Sequence, residues 1–89
     1  MFPFGRILAT PGALDMLVDL GLDPLIVINR HLWGDWGDLD EQDRASNERA
    51  LNHGGRLFSS YDLEGARTSI WVITEADRSC TTLLLPSEY

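Results

Sequence analysis

Disulfide bonds, lysine and long apolar runs are all missing from this chain of 89 residues. The single cysteine, Cys80, excludes an internal disulfide, and no CxxC pair or catalytic-cysteine pattern surrounds it. We interpret Cys80 as a small residue near a strand start and not as a reactive thiol. No run approaches the roughly 18 apolar residues of a membrane-spanning helix, and residues 1–13 lack the pattern of a signal peptide. We therefore expect a cytoplasmic protein without a membrane partner.

Basic residues are scarce: seven arginines and no lysine stand against fourteen acidic residues, giving a formal net charge of −7. Binding to nucleic acid through its phosphates needs a basic surface, so direct nucleic-acid binding is not expected. An anionic membrane surface would repel the chain as well. The long-range field attracts the chain to basic surfaces of other proteins, although solubility alone also explains such a charge.

Three helices are predicted in the first half of the chain. Thr10 and Asp23 are good N-cap residues, and each is followed by proline at the first helical position. Asp40 begins a third helix, which stops at Gly54-Gly55. The first two helices carry apolar stripes at helical spacing. The third has only a thin apolar face at Ala50-Leu51, so its other sides face water or a partner.

Three short strands are predicted in the second half, at residues 56–61, 68–74 and 81–85, with polar connections of hairpin length. A three-stranded antiparallel meander is the simplest arrangement. The predicted fold class is therefore α+β, with two to three N-terminal helices followed by a three-stranded antiparallel β-meander. We expect one domain over residues 1–89, with its helical half at 10–53 and its β half at 56–86.

The last two predicted strands are apolar on both sides, so both faces of the sheet need covering. Short helices can cover one face. The other face is then either core, covered by helices that wrap both sides, or an interface for a homodimer or another partner. The residues assigned to this dimer or core face are Trp71, Ile73 and Leu84.

No pattern typical of a catalytic or metal site is present. His31 and His53 are not paired at metal-ligand spacing, and both suit the negative end of a helix as cations. The aspartates between residues 35 and 43 lack the ligand spacing of an EF-hand, which leaves a weak cation site as the alternative. Glu75-Ala76-Asp77 is interpreted as a polar turn with Arg78 pairing locally. We expect no enzyme activity, no metal and no cofactor.

Residues 34–43, called the acidic segment below, hold five acidic residues, no base and one tryptophan. Two interpretations are open: a solvated loop leading into a helix, or an acidic patch that faces Arg and Lys side chains of another protein. Trp36 is either buried and fixes the loop, or exposed and anchors an interface, where tryptophan is enriched. The residues predicted to bind a partner are Asp35, Trp36, Asp38, Asp40, Glu41 and Asp43.

The acidic segment is part of a longer pattern. Its members are His31, GDWGDL at 34–39, Asn47, Ala50-Leu51, GGRL at 54–57, WVITEADRS at 71–79, Thr81-Thr82, LLP at 84–86 and Glu88-Tyr89. On these residues the chain resembles a family of small proteins carried on plasmids and other mobile elements of proteobacteria. The resemblance implies a setting and not an activity: small acidic proteins of mobile elements often inhibit host defence, as anti-restriction and anti-CRISPR proteins do.

Charge and resemblance lead to one hypothesis: an inhibitor of a bacterial defence complex, of the anti-CRISPR kind. It would bind a basic nucleic-acid-handling surface of a Cas effector or restriction enzyme and block DNA access. The alternatives are an anti-restriction protein and a plasmid maintenance or regulatory protein of the antitoxin kind. A regulator with a helix-turn-helix needs a basic second helix, and only Arg30 and His31 are available for it. DNA mimicry and simple steric blocking are both open as mechanisms.

Overall fold

The computed structural model describes residues 1–89, which form three α-helices and one four-stranded sheet. The elements are β1 (Arg6–Ala9), α1 (Pro11–Leu20), α2 (Pro24–Leu32), α3 (Glu41–His53), β2 (Leu57–Tyr61), β3 (Ile70–Thr74), β4 (Cys80–Leu84) and a 3₁₀ turn (Pro86–Glu88). The α+β class is as predicted, and β2, β3 and β4 form an antiparallel meander. None of the helices is both long enough and apolar enough to cross a bilayer.

The three helices begin where their capping residues predict. The side chains of Thr10, Asp23 and Asp40 each accept a hydrogen bond from a backbone N–H in the first turn of the helix that follows. Gly21 follows α1 with a φ of 70°, a left-handed conformation that costs glycine little. Its N–H donates hydrogen bonds to carbonyl groups in the last turn of the helix. These boundaries follow from local chemistry and were therefore visible in the sequence.

A fourth strand, β1, was missed by the sequence prediction. It pairs in parallel with β4, so the sheet is mixed and its order is β1-β4-β3-β2. The prediction of three antiparallel strands preceded only by helices was wrong on this point. β1 has four residues between Gly5 and Thr10, and its register pairs Arg6 with Cys80. Such a short strand depends on hydrogen bonds from the far end of the chain, which no local pattern reveals.

Two helices, α1 and α2, cover one face of the sheet and form the main core with it. Inward residues alternate along the strands, as β-structure requires. The buried apolar residues of this core are Ala13, Met16, Leu17, Val27, Ile28, Leu32, Tyr61, Ile70, Val72, Leu83 and Leu85.

The opposite side of the sheet, called the outer face below, carries several of the chain's aromatic residues and no helix. Ile73 and Leu84 are only 5% and 6% exposed, and Trp71 is half-buried. The Phe58 and Tyr89 rings meet Trp71 edge-on, with centroids 5.1 and 5.7 Å away. Of the two alternatives for this face, covering by helices does not apply, since the rings of Phe58, Trp71 and Tyr89 lie on it. Ile73 and Leu84 are buried within one chain, as the core interpretation of this face expects, and a homodimer on Trp71, Ile73 and Leu84 stays a prediction.

Candidate partner-binding surface

The acidic segment and α3 are held against β2, which is an edge strand. The Asn47 side chain donates to the Phe58 carbonyl at 2.6 Å and accepts from the Phe58 N–H at 3.0 Å. Next along the strand, the Ser60 N–H donates to the Trp36 carbonyl and the Ser60 carbonyl accepts from the Asp38 N–H, at 3.2 and 2.7 Å. The segment therefore extends the sheet like a short additional strand, and its backbone position is fixed by the ladder of hydrogen bonds.

Gly37 makes this close approach possible. Its φ is 76°, and a Cβ atom at this position would collide with the Ser60 carbonyl oxygen and the Tyr61 ring. Only glycine combines that backbone conformation with the absence of a side chain. The glycine in GDWGDL is thus required by the contact with β2, which lies more than twenty residues further along the sequence.

Trp36 is buried, with 6% of its surface exposed. It packs with Ala50 and Leu57, and its indole Nε1–H donates to Glu48 Oε2 at 2.9 Å. The role of exposed anchor predicted for Trp36 is therefore wrong, because a partner cannot reach the ring. The other interpretation applies: the tryptophan fixes the loop from below, and the polar residues around it stay outside.

All five carboxylates of the acidic segment are exposed, but they are not equally free. Asp38 accepts from the Asp62 N–H, and Asp40 caps α3 through the Asp43 N–H, both at 2.8 Å. The carboxylates of Glu41 and Asp43 form no hydrogen bond or ion pair within the chain and lie in the first turn of α3. Asp62, which the sequence prediction missed, joins the acidic surface because β2 ends beside Asp38.

Asp35 is already paired. Arg30 Nε donates to its carboxylate at 2.7 Å, and this hydrogen bond lowers the pKa of Asp35. The Arg30 guanidinium also lies over the Tyr61 ring, 4.4 Å from its centroid, while the Tyr61 hydroxyl donates to the Asp35 carbonyl at 2.6 Å. Burial raises the pKa of Tyr61 to about 12, so it remains a neutral donor. Asp35 therefore stabilises the loop and presents less net charge to a partner than Glu41 or Asp43 does.

The accessible tryptophan beside the acidic segment is Trp33, which is 68% exposed. It lines a shallow depression together with Met1 and Leu51 on α3. Trp33 was not among the residues predicted to bind a partner. Trp33 is the C-cap residue that follows α2, and its side chain faces solvent.

A chain of buried polar groups lies beneath the segment. His31 Nδ1 is 2.5 Å from Ser59 Oγ, and His31 Nε2 is 2.9 Å from Thr74 Oγ1. Thr74 bonds Thr81, whose hydroxyl donates to the Phe4 carbonyl at 2.8 Å. The Phe4 carbonyl can only accept, so Thr81 donates to it. The Thr81 hydroxyl hydrogen is then used, so Thr74 donates to Thr81. His31 therefore donates from Nε2 and accepts at Nδ1 from the Ser59 hydroxyl.

The His31 imidazole is neutral, since burial lowers its pKa to about 4. The expectation of a cation at this helix end was wrong, because the ring faces the core. Ser59 and His31 lie at the distance of a nucleophile and its base, yet both are completely buried, so a substrate cannot reach them. The pair connects α2 to the sheet.

No group of three or more His, Cys, Asp or Glu side chains is positioned to hold a metal ion. Comparison of the chain with protein-family models, with curated proteins and with solved structures finds no match. The geometry of the acidic segment and its neighbours is therefore the basis for a functional proposal.

Proposed function

We propose that this chain is a binding protein that inhibits a bacterial defence complex of the Cas effector or restriction kind. Its acidic segment would occupy a basic surface that handles DNA or guide RNA, and so exclude the nucleic acid. The observation that supports the proposal is the fixed geometry of the segment: hydrogen bonds to β2 and the buried Trp36 hold in place the backbone that presents the exposed carboxylates. A backbone that is already ordered loses little conformational freedom on binding.

The electrostatic part of the proposal depends on Glu41 and Asp43. Both carboxylates lack partners in the chain, whereas Asp35, Asp38 and Asp40 each hold part of the fold. Free carboxylates along the start of a helix present negative charge to Arg and Lys side chains that otherwise bind phosphates. A net charge of −7 also accelerates the encounter with a basic surface.

The test is a double charge reversal, Glu41→Lys with Asp43→Lys. We expect it to weaken binding to the target complex at least tenfold and to reduce the dependence of binding on salt, because favourable charge pairs become repulsive. The matched control is Asp15→Lys with Asp19→Lys on α1, two exposed acids whose reversal changes the net charge by the same amount. Binding and inhibition are measured with purified Cas effector and restriction complexes, with and without their DNA.

Equal binding by the two double variants would contradict the role of the acidic segment, since only net charge would then matter. Failure of the unaltered chain to bind any complex in the panel would contradict the proposed function itself. Asp38 and Asp40 are left unchanged in this experiment because their replacement would also damage the loop and the helix cap.

Trp33 supplies an apolar contact next to these charges. Leu51, which lines the same depression, lies eight residues after Asp43 on α3, or roughly 12 Å along the helix axis. That distance is well within one protein interface. The proposed partner therefore has an apolar pocket beside its basic groove, and an exposed indole is the type of side chain that fills such a pocket.

Replacing Trp33 with alanine is expected to weaken target binding about 30-fold, in line with a hot-spot loss of about 2 kcal/mol. Its effect on stability should be within about 0.5 kcal/mol, because the ring is mostly in water. The salt dependence of binding should stay unchanged, which distinguishes this contact from those of Glu41 and Asp43. Unchanged affinity in the Trp33→Ala protein would remove Trp33 from the interface without affecting the charge argument.

The alternative of a DNA-binding regulator receives no support from the two helices that would form its motif. Arg30 is paired with Asp35, and His31 is buried and neutral, so α2 offers no free cation to phosphates. A gel-shift assay with DNA carrying the promoter of the chain's own gene separates the two functions. We expect no shift.

A further inference from the structure

The two edges of the sheet differ in a way that points to a partner. At the β2 edge, Asn47 and the acidic segment occupy the backbone groups of the strand. At the β1 edge, the Arg6 N–H donates to Ser79 and the Thr10 N–H donates to Leu83, so every second residue faces β4. The backbone N–H and C=O groups of the alternate residues, Ile7 and Ala9, therefore point away from the sheet. An open edge of this kind is a template for another strand.

The residues with outward backbone groups are Ile7 and Ala9. Beside them, between β1 and α2, lies an apolar groove in which Leu25 and Ile26 are 60% and 58% exposed. Isolated exposed apolar residues are common on proteins, but a continuous apolar groove beside an open strand edge is not. The groove is lined by Phe4, Ile7, Leu25, Ile26, Ile28, Asn29 and Leu32.

We infer that a second copy of this chain docks here, with the two β1 strands paired antiparallel about Leu8. In that register, Ile7 of one copy and Ala9 of the other exchange both of their backbone hydrogen bonds, and the reverse pair does the same. Leu8, 40% exposed, meets Leu8 of the other copy as a directly opposed pair on the outer face. The interface is thus self-complementary, as a two-fold dimer requires, and the two sheets become one.

The absence of charge in the groove favours an uncharged surface over a charged partner, and the same groove on a second copy is such a surface. None of the residues that line the groove carries a charge, although the chain carries −7 overall. Two acidic chains repel each other across most of their surface, and this neutral groove is where they can approach. A charged peptide would find no opposite charge in it.

The placement also leaves the acidic segment free. β1 and β2 are the two outer strands of the sheet, three strand spacings or roughly 14 Å apart. The dimer would carry one acidic segment at each far end of the joined sheet. The inference is independent of the proposed function, because it involves only the chain itself.

The first experiment is sedimentation equilibrium of the full chain, for which we expect twice the chain mass of 10.0 kDa. Ile26→Lys places a charge in the apolar contact and should give the monomer mass. Ala9→Pro removes an outward N–H that the chain itself does not use, and should also give the monomer mass. The control is Val18→Lys on α1, a residue that is 76% exposed and lies outside the groove, which should remain dimeric.

Amide exchange locates the interface within the dimer. The N–H groups of Ile7 and Ala9 should be protected in the unaltered chain, and that of Ile7 should exchange rapidly in the monomeric Ile26→Lys variant. A monomer at the highest soluble concentration would overturn the inference. A dimer that survives both substitutions, or one whose Ile7 amide exchanges freely, would overturn it as well, because association would then use another surface.

Discussion

Replacing Trp36 with alanine is expected to lower the free energy of unfolding by about 3–5 kcal/mol, the range for a large buried aromatic residue. Trp36 is 6% exposed and fills the small core between Ala50 and Leu57. Its removal leaves a cavity beneath the acidic segment and breaks the hydrogen bond that the indole donates to the Glu48 carboxylate. A small domain has a total stability of about 5–15 kcal/mol, so this one change removes a large fraction of it.

The controls for this prediction are Trp33→Ala and Trp36→Phe. Trp33→Ala removes the same side chain from an exposed position three residues earlier and should change stability little. Trp36→Phe keeps most of the packing and loses the hydrogen bond to Glu48, so its cost should be about 1–2 kcal/mol. Urea denaturation followed by circular dichroism measures all three. Similar losses for Trp33→Ala and Trp36→Ala would contradict the assignment of the two tryptophans.

The free energy of unfolding is expected to fall by about 3 kcal/mol as the pH is lowered from 7 to 4, because of His31. Burial lowers the pKa of His31 from 6.5 to about 4 in the folded chain. Between these two values the unfolded chain binds a proton that the folded chain does not, so stability rises with pH in this window. The chain therefore has its full stability above pH 6.5, and the loss caused by His31 grows as the pH falls toward 4.

Two variants isolate this effect. His31→Gln should be less stable at pH 7, since it disturbs the hydrogen bonds to Ser59 and Thr74, but its stability should change little between pH 6.5 and 4.5. His53→Gln removes an exposed histidine at the end of α3 and should keep the pH dependence of the unaltered chain. Stability measured by urea denaturation at several pH values tests this. A pH dependence that persists in His31→Gln would show that another group is responsible.

A part of the fold could be predicted from the sequence when the residues that interact there lie close together in the chain. The caps Thr10, Asp23 and Asp40 act on the next turn of chain, so each helix start was predicted correctly. The three strands of the meander are joined by short hairpin connections, so their pairing is nearly local as well. β1 was missed because its only partner is β4, at the other end of the chain.

The candidate surface also has features that the sequence shows and features that only the fold shows. The concentration of carboxylates in residues 34–43 is a property of composition and needed no structure. The assignment of Trp36 as anchor failed because the residues that bury it, Ala50 and Leu57, lie far from it in the sequence. Only the approach of the segment to β2, permitted by Gly37, decides that Trp36 faces Ala50 and Leu57.

The sequence by itself thus determined the class of fold, the helix starts, the net charge and the location of the acidic segment, since each depends on neighbouring residues or on composition. Tertiary structure alone decided the fourth strand, the open β1 edge, the pairing of Asp35 with Arg30 and the neutral state of His31. The physical reason is that burial and strand pairing join residues far apart in the chain. Their energies therefore appear only when the complete fold brings those residues together.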